Sequence, residues 1–370
     1  MKILWIVDDY SGGAGNAAQL LTRELSKRGY DVTLLLTSKH TTPKYDLHNV
    51  SEMCFDLDRN RSEGFPRWFK RVKKELGEYI TRSNYDVVVS FLDVINTTVA
   101  FAMMHTKQPL IVCERSNPLE IFPRFPWNIM RYPAYARANC VSVQFESFTK
   151  MSHGVFKNKT VVFPNPIVKP DVQHYCTDEK KKTFRLISAA RLEPVKQFPL
   201  MIDIFSELHK KRSETELTIL GDGTQHAALQ EKISRLGLND CVHLPGSKKH
   251  VNEILVEYDA YLMTSKQEGF PNSLCEAMAV GLPCVAFECH TGLRELIHNG
   301  QNGFLVSPGE NEVMVDRIEQ LIDNEQLRKS MGDCALKISD EFSMDKVITI
   351  WENEFDRLMA QKHASESGKA

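Results

Sequence analysis

Three things are missing from this 370-residue chain, and each absence removes a class of protein. The first is a long apolar run at the start. The opening MKILWIVDDY has one lysine and a short hydrophobic stretch stopped by Asp8 and Asp9, which fits a buried strand and neither a secretory signal nor a membrane anchor. A cytoplasmic location is the expectation. The second is an excess of either charge: 46 Lys and Arg against 48 Asp and Glu leave a formal net charge of -2, so nothing global points to nucleic acid or another polyanion. The third is any paired cysteine spacing. Most of the nine cysteines (Cys54, Cys113, Cys140, Cys241, Cys275 and Cys284 among them) sit in apolar runs, which predicts buried reduced thiols. Cys284, Cys289 and His290 form the closest group, but no C-x-x-C and no second ligand pair accompanies them, so no metal is expected.

What is present is enough apolar residue, 42%, for two domains of ordinary size. Short β-branched and aliphatic runs alternate with amphipathic stretches, the pattern of β-α-β units around a parallel sheet. Strands are predicted at 3–7, 32–36, 87–91, 110–113, 140–143 and 161–163, then at 185–189, 217–220, 242–244, 260–263, 284–287 and 304–306. Between the two sets lie Pro164-Asn165-Pro166, Pro170 and the hydrophilic run from Asp178 to Thr183, where X-Pro bonds and charge mark a boundary. The expected domains are 1–166 and 167–343, followed by a helix from Met344 that packs back across the first domain and a disordered polar tail to 370. Doubly wound sheets bind ligands at the carboxyl ends of their strands, so a cleft between the domains is the place to look.

Three segments carry candidate chemistry. After the first strand, Ser11-Gly12-Gly13-Ala14-Gly15-Asn16 leads into a helical pattern from Ala17 to Arg28, where glycines admit a ligand to the backbone and a helix N-terminus offers free amides. It is not the G-x-G-x-x-G dinucleotide fingerprint, because Gly15 is followed by Asn16, and a tight strand-to-helix turn explains it equally well. At the end of the first strand of the second half, Arg191 and Lys196 flank Pro194, two cations whose charge suits a pyrophosphate. Farther on, Glu268 precedes Gly269-Phe270-Pro271-Asn272-Ser273-Leu274-Cys275-Glu276. Pro271 and Asn272 suit a helix start, so a diphosphate could sit over the amides of Asn272, Ser273 and Leu274. Glu276 then falls among apolar neighbours, where a carboxylate needs a partner such as a ribose diol.

The pair Arg191 and Lys196, the turn Gly221-Asp222-Gly223, the Glu268 and Glu276 spacing and the loop at Gly12-Gly13 together resemble the GT4-type retaining glycosyltransferases over nearly the whole chain. The resemblance implies a GT-B fold, that is, an α/β protein of two Rossmann-like parallel-sheet domains facing a cleft. It implies that the donor, a nucleotide diphosphate sugar and most simply a UDP-hexose or UDP-N-acetylhexosamine, is held by the second domain and a glycan or lipid-linked acceptor by the first. Arg191 and Lys196 would neutralise the diphosphate without a metal or other cofactor. Glu268 would face the sugar, Glu276 the ribose, Gly13 the phosphate, and Gly221, Gly246 and Ser247 the nucleoside. Many relatives carry a histidine after the strand at 110–113; here the chain reads Glu114-Arg115-Ser116-Asn117-Pro118. Either Arg115 replaces that histidine, or Glu114 contacts substrate with Arg115 as its ion-pair partner. The retaining outcome, with the acceptor attacking on the face the phosphate leaves, is likewise implied by the family.

Two further stretches bear on the acceptor. Arg59 to Lys74 (RNRSEGFPRWFKRVKK) has seven basic residues and one acid interleaved with Phe65, Trp68 and Phe69, and Phe122 to Tyr132 has similar chemistry. Such segments fit an anionic membrane surface at the inner face of a membrane, or a solvated helix face with aromatics in the core. Other classes remain open at this level: a nucleotide-sugar epimerase shares the architecture, and a non-catalytic sugar-nucleotide-binding subunit would share the fold. A dehydrogenase lacks its fingerprint in both halves.

Overall fold

Residues 1–38, 41–55, 64–116, 125–150, 158–173, 183–289 and 292–367 are described by a computed structural model. The chain divides into two units, residues 1–166 with 344–370, and residues 167–343.

Unit 1 runs β1 (Lys2–Val7), α1 (Gly12–Lys27), β2 (Asp31–Leu36), β3 (Ser51–Cys54), α2 (Phe65–Ser83), β4 (Val87–Phe91), α3 (Asp93–Ala102), β5 (Leu110–Cys113), α4 (Trp127–Arg137), β6 (Cys140–Val143), α5 (Glu146–Thr149) and β7 (Thr160–Val162). Its seven strands pair in parallel in the order β3-β2-β1-β4-β5-β6-β7. Both faces of β4, β5 and β6 are covered by helices, which is why they read as unbroken apolar runs without alternation. On α2 the buried side chains Trp68, Val72, Leu76 and Ile80 recur every fourth residue, so one stripe faces the sheet and the lysines and arginines face away.

Unit 2 runs β8 (Phe184–Ala189), α6 (Phe198–Lys211), β9 (Thr215–Leu220), α7 (His226–Arg235), β10 (Val242–His243), α8 (Val251–Leu255), β11 (Ala260–Met263), α9 (Asn272–Ala279), β12 (Cys284–Phe287), β13 (Gly303–Val306), α10 (Asn311–Asp323), α11 (Glu325–Ala335) and α12 (Ile338–Glu341). Six parallel strands order as β10-β9-β8-β11-β12-β13. The two ends of the unit are joined where the Ile167 N–H donates to the Phe342 carbonyl at 2.8 Å.

A last helix, α13 (Met344–Ser367), leaves unit 2 and packs into the core of unit 1. Val347, Ile348, Trp351, Phe355 and Leu358 are buried there beside Ile3, Trp5 and Phe163, and the Trp351 ring lies 4.7 Å from Trp5 and 4.2 Å from Phe163. Arg28 at the end of α1 pairs with Asp345 and Glu352 of the same helix. The N-terminal sheet therefore completes its core only after the other unit has been made.

In each sheet the strand order turns back at one point, between β1 and β4 in unit 1 and between β8 and β11 in unit 2. Crevices at the carboxyl ends of strands flanking such a point are where doubly wound sheets take ligands. No described helix is long and apolar enough to cross a membrane.

Candidate active site

The loops leaving β8 and β11 carry the candidate charged residues Arg191, Lys196 and Glu268 of unit 2. Beyond Ala189 the chain crosses the turn that follows β9, and that crossing explains the glycines of Gly221-Asp222-Gly223. Gly221 has a φ of +139°, and a Cβ there would land inside van der Waals contact of the Ala190 carbonyl; at Gly223 it would meet the backbone of Leu192. The same crossing is tied by Leu192 N–H to the Asp222 carbonyl (2.9 Å) and Gly221 N–H to the Gly246 carbonyl (3.1 Å). Asp222 in turn accepts the Ser247 N–H at 2.9 Å, and these Ser247 hydrogen bonds hold its carboxyl below the usual range. Gly221, Gly246 and Ser247 thus form one connected loop cluster. Asp222 is a residue that its place between two glycines concealed.

Arg191 is exposed on this loop, with no ion pair among the described residues. Lys196 ends a short 3-10 turn (Pro194–Lys196) and reaches Glu268, Nζ to Oε1 at 2.6 Å. Glu268 is 9% exposed. The sequence pattern treats Arg191 and Lys196 as two like cations and Glu268 as a separate group; the fold instead joins Lys196 to Glu268 and leaves Arg191 apart. Backbone bonds fix the pair: Thr264 Oγ1 donates to the Lys196 carbonyl at 3.1 Å and Lys266 N–H to the Val195 carbonyl at 2.8 Å. A buried-side carboxylate with its cation at hydrogen-bond distance can orient a hydroxyl while the ammonium stays available to an anion.

At the start of α9, one of the three amides expected to be free is used, because Asn272 N–H donates to the Phe270 carbonyl at 2.9 Å. The amides of Ser273 and Leu274 have no acceptor among the described residues. The side chains of Phe270 and Leu274 are buried, Phe270 edge-on to Phe342 at 5.9 Å, so these two residues and Pro271 set the helix start and offer only backbone to a ligand. Tyr261, fully buried on β11, donates to Ser273 Oγ at 2.8 Å and lies 3.3 Å from the Ala189 amide, which bridges the β8 exit to the helix. Burial pushes its hydroxyl well above the usual range, so it stays protonated as a donor. Glu276 is half-buried on α9 among Leu274, Cys275, Ala277 and Met278, all buried.

In unit 1, Gly12 and Gly13 are exposed, and α1 begins at Gly12, not at Ala17 where the apolar pattern begins. The glycine that the packing demands is Gly15, where a Cβ would collide with the backbone of Asp9 and Tyr10; around Gly12 there is open space. Glu114 and Arg115 follow β5, and the ion pair that one of the two readings placed between them is not formed. Glu114 is 4% exposed and bound by Arg131 Nη2 at 2.7 Å and by the Tyr135 hydroxyl, while Arg115 Nη1 donates to Asn165 Oδ1 at 2.7 Å. Burial pushes the Glu114 carboxyl up, opposed by Arg131. Adjacent residues after a strand point to opposite faces, which is why they find different partners. Arg131 and Tyr135, four apart on α4, were a signal that spacing alone could have raised.

The segment Arg59 to Lys74 is described from Gly64 onward. There Phe65, Trp68 and Phe69 pack about Trp127 with ring centroids 5.5 to 6.1 Å away, and Arg67, Lys70 and Lys74 are exposed. Of the second stretch, Phe122, Pro123 and Arg124 lie outside the described residues, whereas Phe125 (77% exposed), Ile129 (62%) and Tyr132 (58%) follow at helical spacing. Asn117 and Pro118, His290 and the run Asp178 to Lys182 also lie outside them. Among the described residues no three His, Cys, Asp or Glu side chains are grouped to hold a metal ion, and no disulfide joins two described cysteines.

This arrangement agrees with two family patterns that between them span most of the chain. Residues 11–168 match Glycosyltransferase Family 4, and residues 174–337 match Glycosyl transferases group 1. The chain belongs to the GT4-type glycosyltransferases. It is 28% identical over 364 residues to the amylovoran biosynthesis glycosyltransferase AmsD of Erwinia amylovora, covering 95% of this chain and 99% of that one. To the undecaprenol-linked alpha-1,4-N-acetyl-D-galactosaminyltransferase of Campylobacter jejuni it is 25% identical over 360 residues, covering 95% and 97%. Among solved structures, HepE of Anabaena in complex with UDP and glucose superposes with a TM-score of 0.78 at 21% identity, over 97% of this chain and 99% of that one. Two parallel sheets with covering helices are thus the GT-B fold in this GT4-type enzyme.

Proposed function

We propose that this GT4-type enzyme moves a hexose or N-acetylhexosamine from a UDP-sugar to a hydroxyl of a glycan or lipid-linked acceptor, with retention and without a metal, in bacterial surface polysaccharide or glycoconjugate assembly. The observation that carries the donor half is the Lys196 and Glu268 pair that joins the β8 and β11 exits of unit 2, with Arg191 exposed on the first of these loops and the Ser273 and Leu274 amides and Glu276 on the helix after the second. As the donor bond breaks, negative charge grows on the β-phosphate and positive charge on the sugar ring. Arg191, Lys196 and the α9 amides stabilise the first, and the Glu268 carboxylate orients a sugar hydroxyl and faces the second. Glu276 takes the ribose hydroxyls, and the loop cluster of Gly221, Gly246 and Ser247 takes the nucleoside. Support for UDP comes from the HepE complex and from a Streptococcus pneumoniae relative named for UDP-N-acetylglucosamine. Support for retention comes from two relatives named for alpha-linked products, since an α-product from an α-linked nucleotide sugar keeps its configuration.

Unit 1 takes the acceptor. The exposed basic residues of α2, with Ile129 and Tyr132 on α4 and Phe125 just before that helix, fit a chain that rests on the anionic inner face of a membrane while it works on a lipid-linked glycan. A panel of nucleotide sugars, read by nucleotide release with and without chelator, tests the reading. A UDP-sugar used equally in both supports it, and activity abolished by chelator removes the role given to Arg191 and Lys196. Co-sedimentation with anionic and neutral vesicles tests the surface, and failure to bind either kind removes it.

A further inference from the structure

One buried charge in unit 1 has no counter-charge among the described residues. Arg115 is 9% exposed, its guanidinium carbon sits 3.8 Å from the centre of the Phe91 ring, and Nη1 donates to the neutral Asn165 side chain. The neighbouring carboxylate, Glu114, is already held by Arg131 and Tyr135. Arg115 Nε and Nη2 are buried and have no partner among the described residues. These two N–H groups share one edge of the planar guanidinium, the fork that accepts two oxygens of a single oxyanion. Burial lowers the pKa of the group to about 10, with no carboxylate opposing the shift.

The surroundings are built from the same end of three adjacent strands. Arg115 follows β5, Ser142 and Gln144 lie at the end of β6, and Asn165 follows β7. Gln144 Nε2 donates to the same Asn165 oxygen at 3.2 Å, and Gln144 Oε1 is buried without a partner among the described residues. A guanidinium kept from water with its bidentate edge unspent destabilises the fold unless a ligand supplies the anion. Hydrogen-bond capacity beside it is unspent as well, and it would suit a hydroxyl next to that anion.

We infer that Arg115, positioned by Asn165 and Phe91, binds a two-oxygen oxyanion carried by the acceptor, a phosphate or a sugar carboxylate, with Gln144 accepting from a neighbouring hydroxyl. The inference rests on unit 1 as the acceptor-binding half. Its test is equilibrium binding to the full chain of inorganic pyrophosphate and, separately, of glucuronate, each with and without saturating UDP. Wild-type protein saturated with UDP takes up one equivalent of one probe, and the probe that binds names the source of the oxyanion. Arg115→Met weakens that event at least tenfold and Arg115→Lys, which keeps charge and loses the fork, at least threefold, while UDP affinity stays within twofold of wild type. Because the substitution removes an unpaired buried charge, the Arg115→Met apoprotein also melts no lower than wild type. Should Arg115→Met fail to fold, the Arg115→Lys binding decides. Absence of both probes from UDP-saturated wild type, unchanged binding in the variants, or a parallel loss of UDP affinity would overturn the inference. Failure of wild type to bind UDP would instead count against the donor reading, and the probe measurements without UDP would still decide this one.

Discussion

The two units hold their charges in opposite ways. In unit 2, Arg191 is exposed, and Lys196 and Glu268 meet each other on loops at the β8 and β11 exits. In unit 1, Glu114 is held by Arg131 and Tyr135, and Arg115 beside them is buried with two of its three guanidinium nitrogens unpartnered among the described residues. Charges on loops near solvent cost little to keep and can turn to a ligand, whereas buried ones must be satisfied by the fold or by what binds it. Unit 2 leaves Arg191 open and answers its buried carboxylate with a half-buried cation, and unit 1 encloses its charges.

The largest expected effect tests how far unit 1 depends on a helix that comes last in the chain. Trp351→Ala should cost about 3–5 kcal/mol, because the ring is fully buried against Trp5 and Phe163. Calorimetry should show the transition of unit 1 falling while that of unit 2 stays; a uniform shift of one transition would mean that the two cores do not melt separately. Next, Glu268→Ala, Arg191→Ala and Lys196→Ala should each lower transfer by about 10²–10³-fold with the melting temperature nearly unchanged. Wild-type rates in all three would erase the contrast between displayed and enclosed charge. The enclosed network gives the reverse signature: Glu114→Gln leaves Arg131 without its carboxylate and should cost about 3 kcal/mol of stability. A change below ~0.5 kcal/mol in urea unfolding would show that the network is not held as drawn. The smallest effect belongs to Asp222→Asn, which should weaken nucleotide affinity only a few-fold. The Asp222 carboxyl is held below its ordinary range by Ser247, so the tie is complete at neutral pH and is lost as the pH falls through and below that range. Titration of the Asp222 carboxyl by NMR checks the direction.

Much of the fold was legible because buried parallel strands are written as short apolar runs. Twelve such runs were expected and each became a strand within a few residues, from Lys2–Val7 to Gly303–Val306. The strand that escaped, Ser51–Cys54, lies at the sheet edge with Ser51, Glu52 and Met53 exposed, so it carries no apolar run to see. The start of α1 lies ahead of the apolar pattern for a related reason: Gly12 to Asn16 has no apolar stripe, and a helix turn made of glycine and alanine looks like a loop. For the candidate site, residue types at set spacing could be seen and their partners could not. Glu114 and Arg115 are neighbours in sequence, which leaves an ion pair between them as one of two readings, but alternation along the backbone sends them to different sides. Tyr261 and Asp222 sit in ordinary strand and turn patterns, and their use is visible only where loops distant in sequence meet.

By itself the amino-acid sequence determined the α/β class, the two sets of strands and the motif Glu268 to Glu276, because periodicity and local spacing act over a few residues and survive without any tertiary context. The tertiary structure alone decided that Lys196 answers Glu268, that Glu114 answers Arg131, that α13 belongs to the first core, and that Arg115 keeps an open fork. Those are matters of distance and burial between residues far apart in the chain, and only the folded backbone sets them.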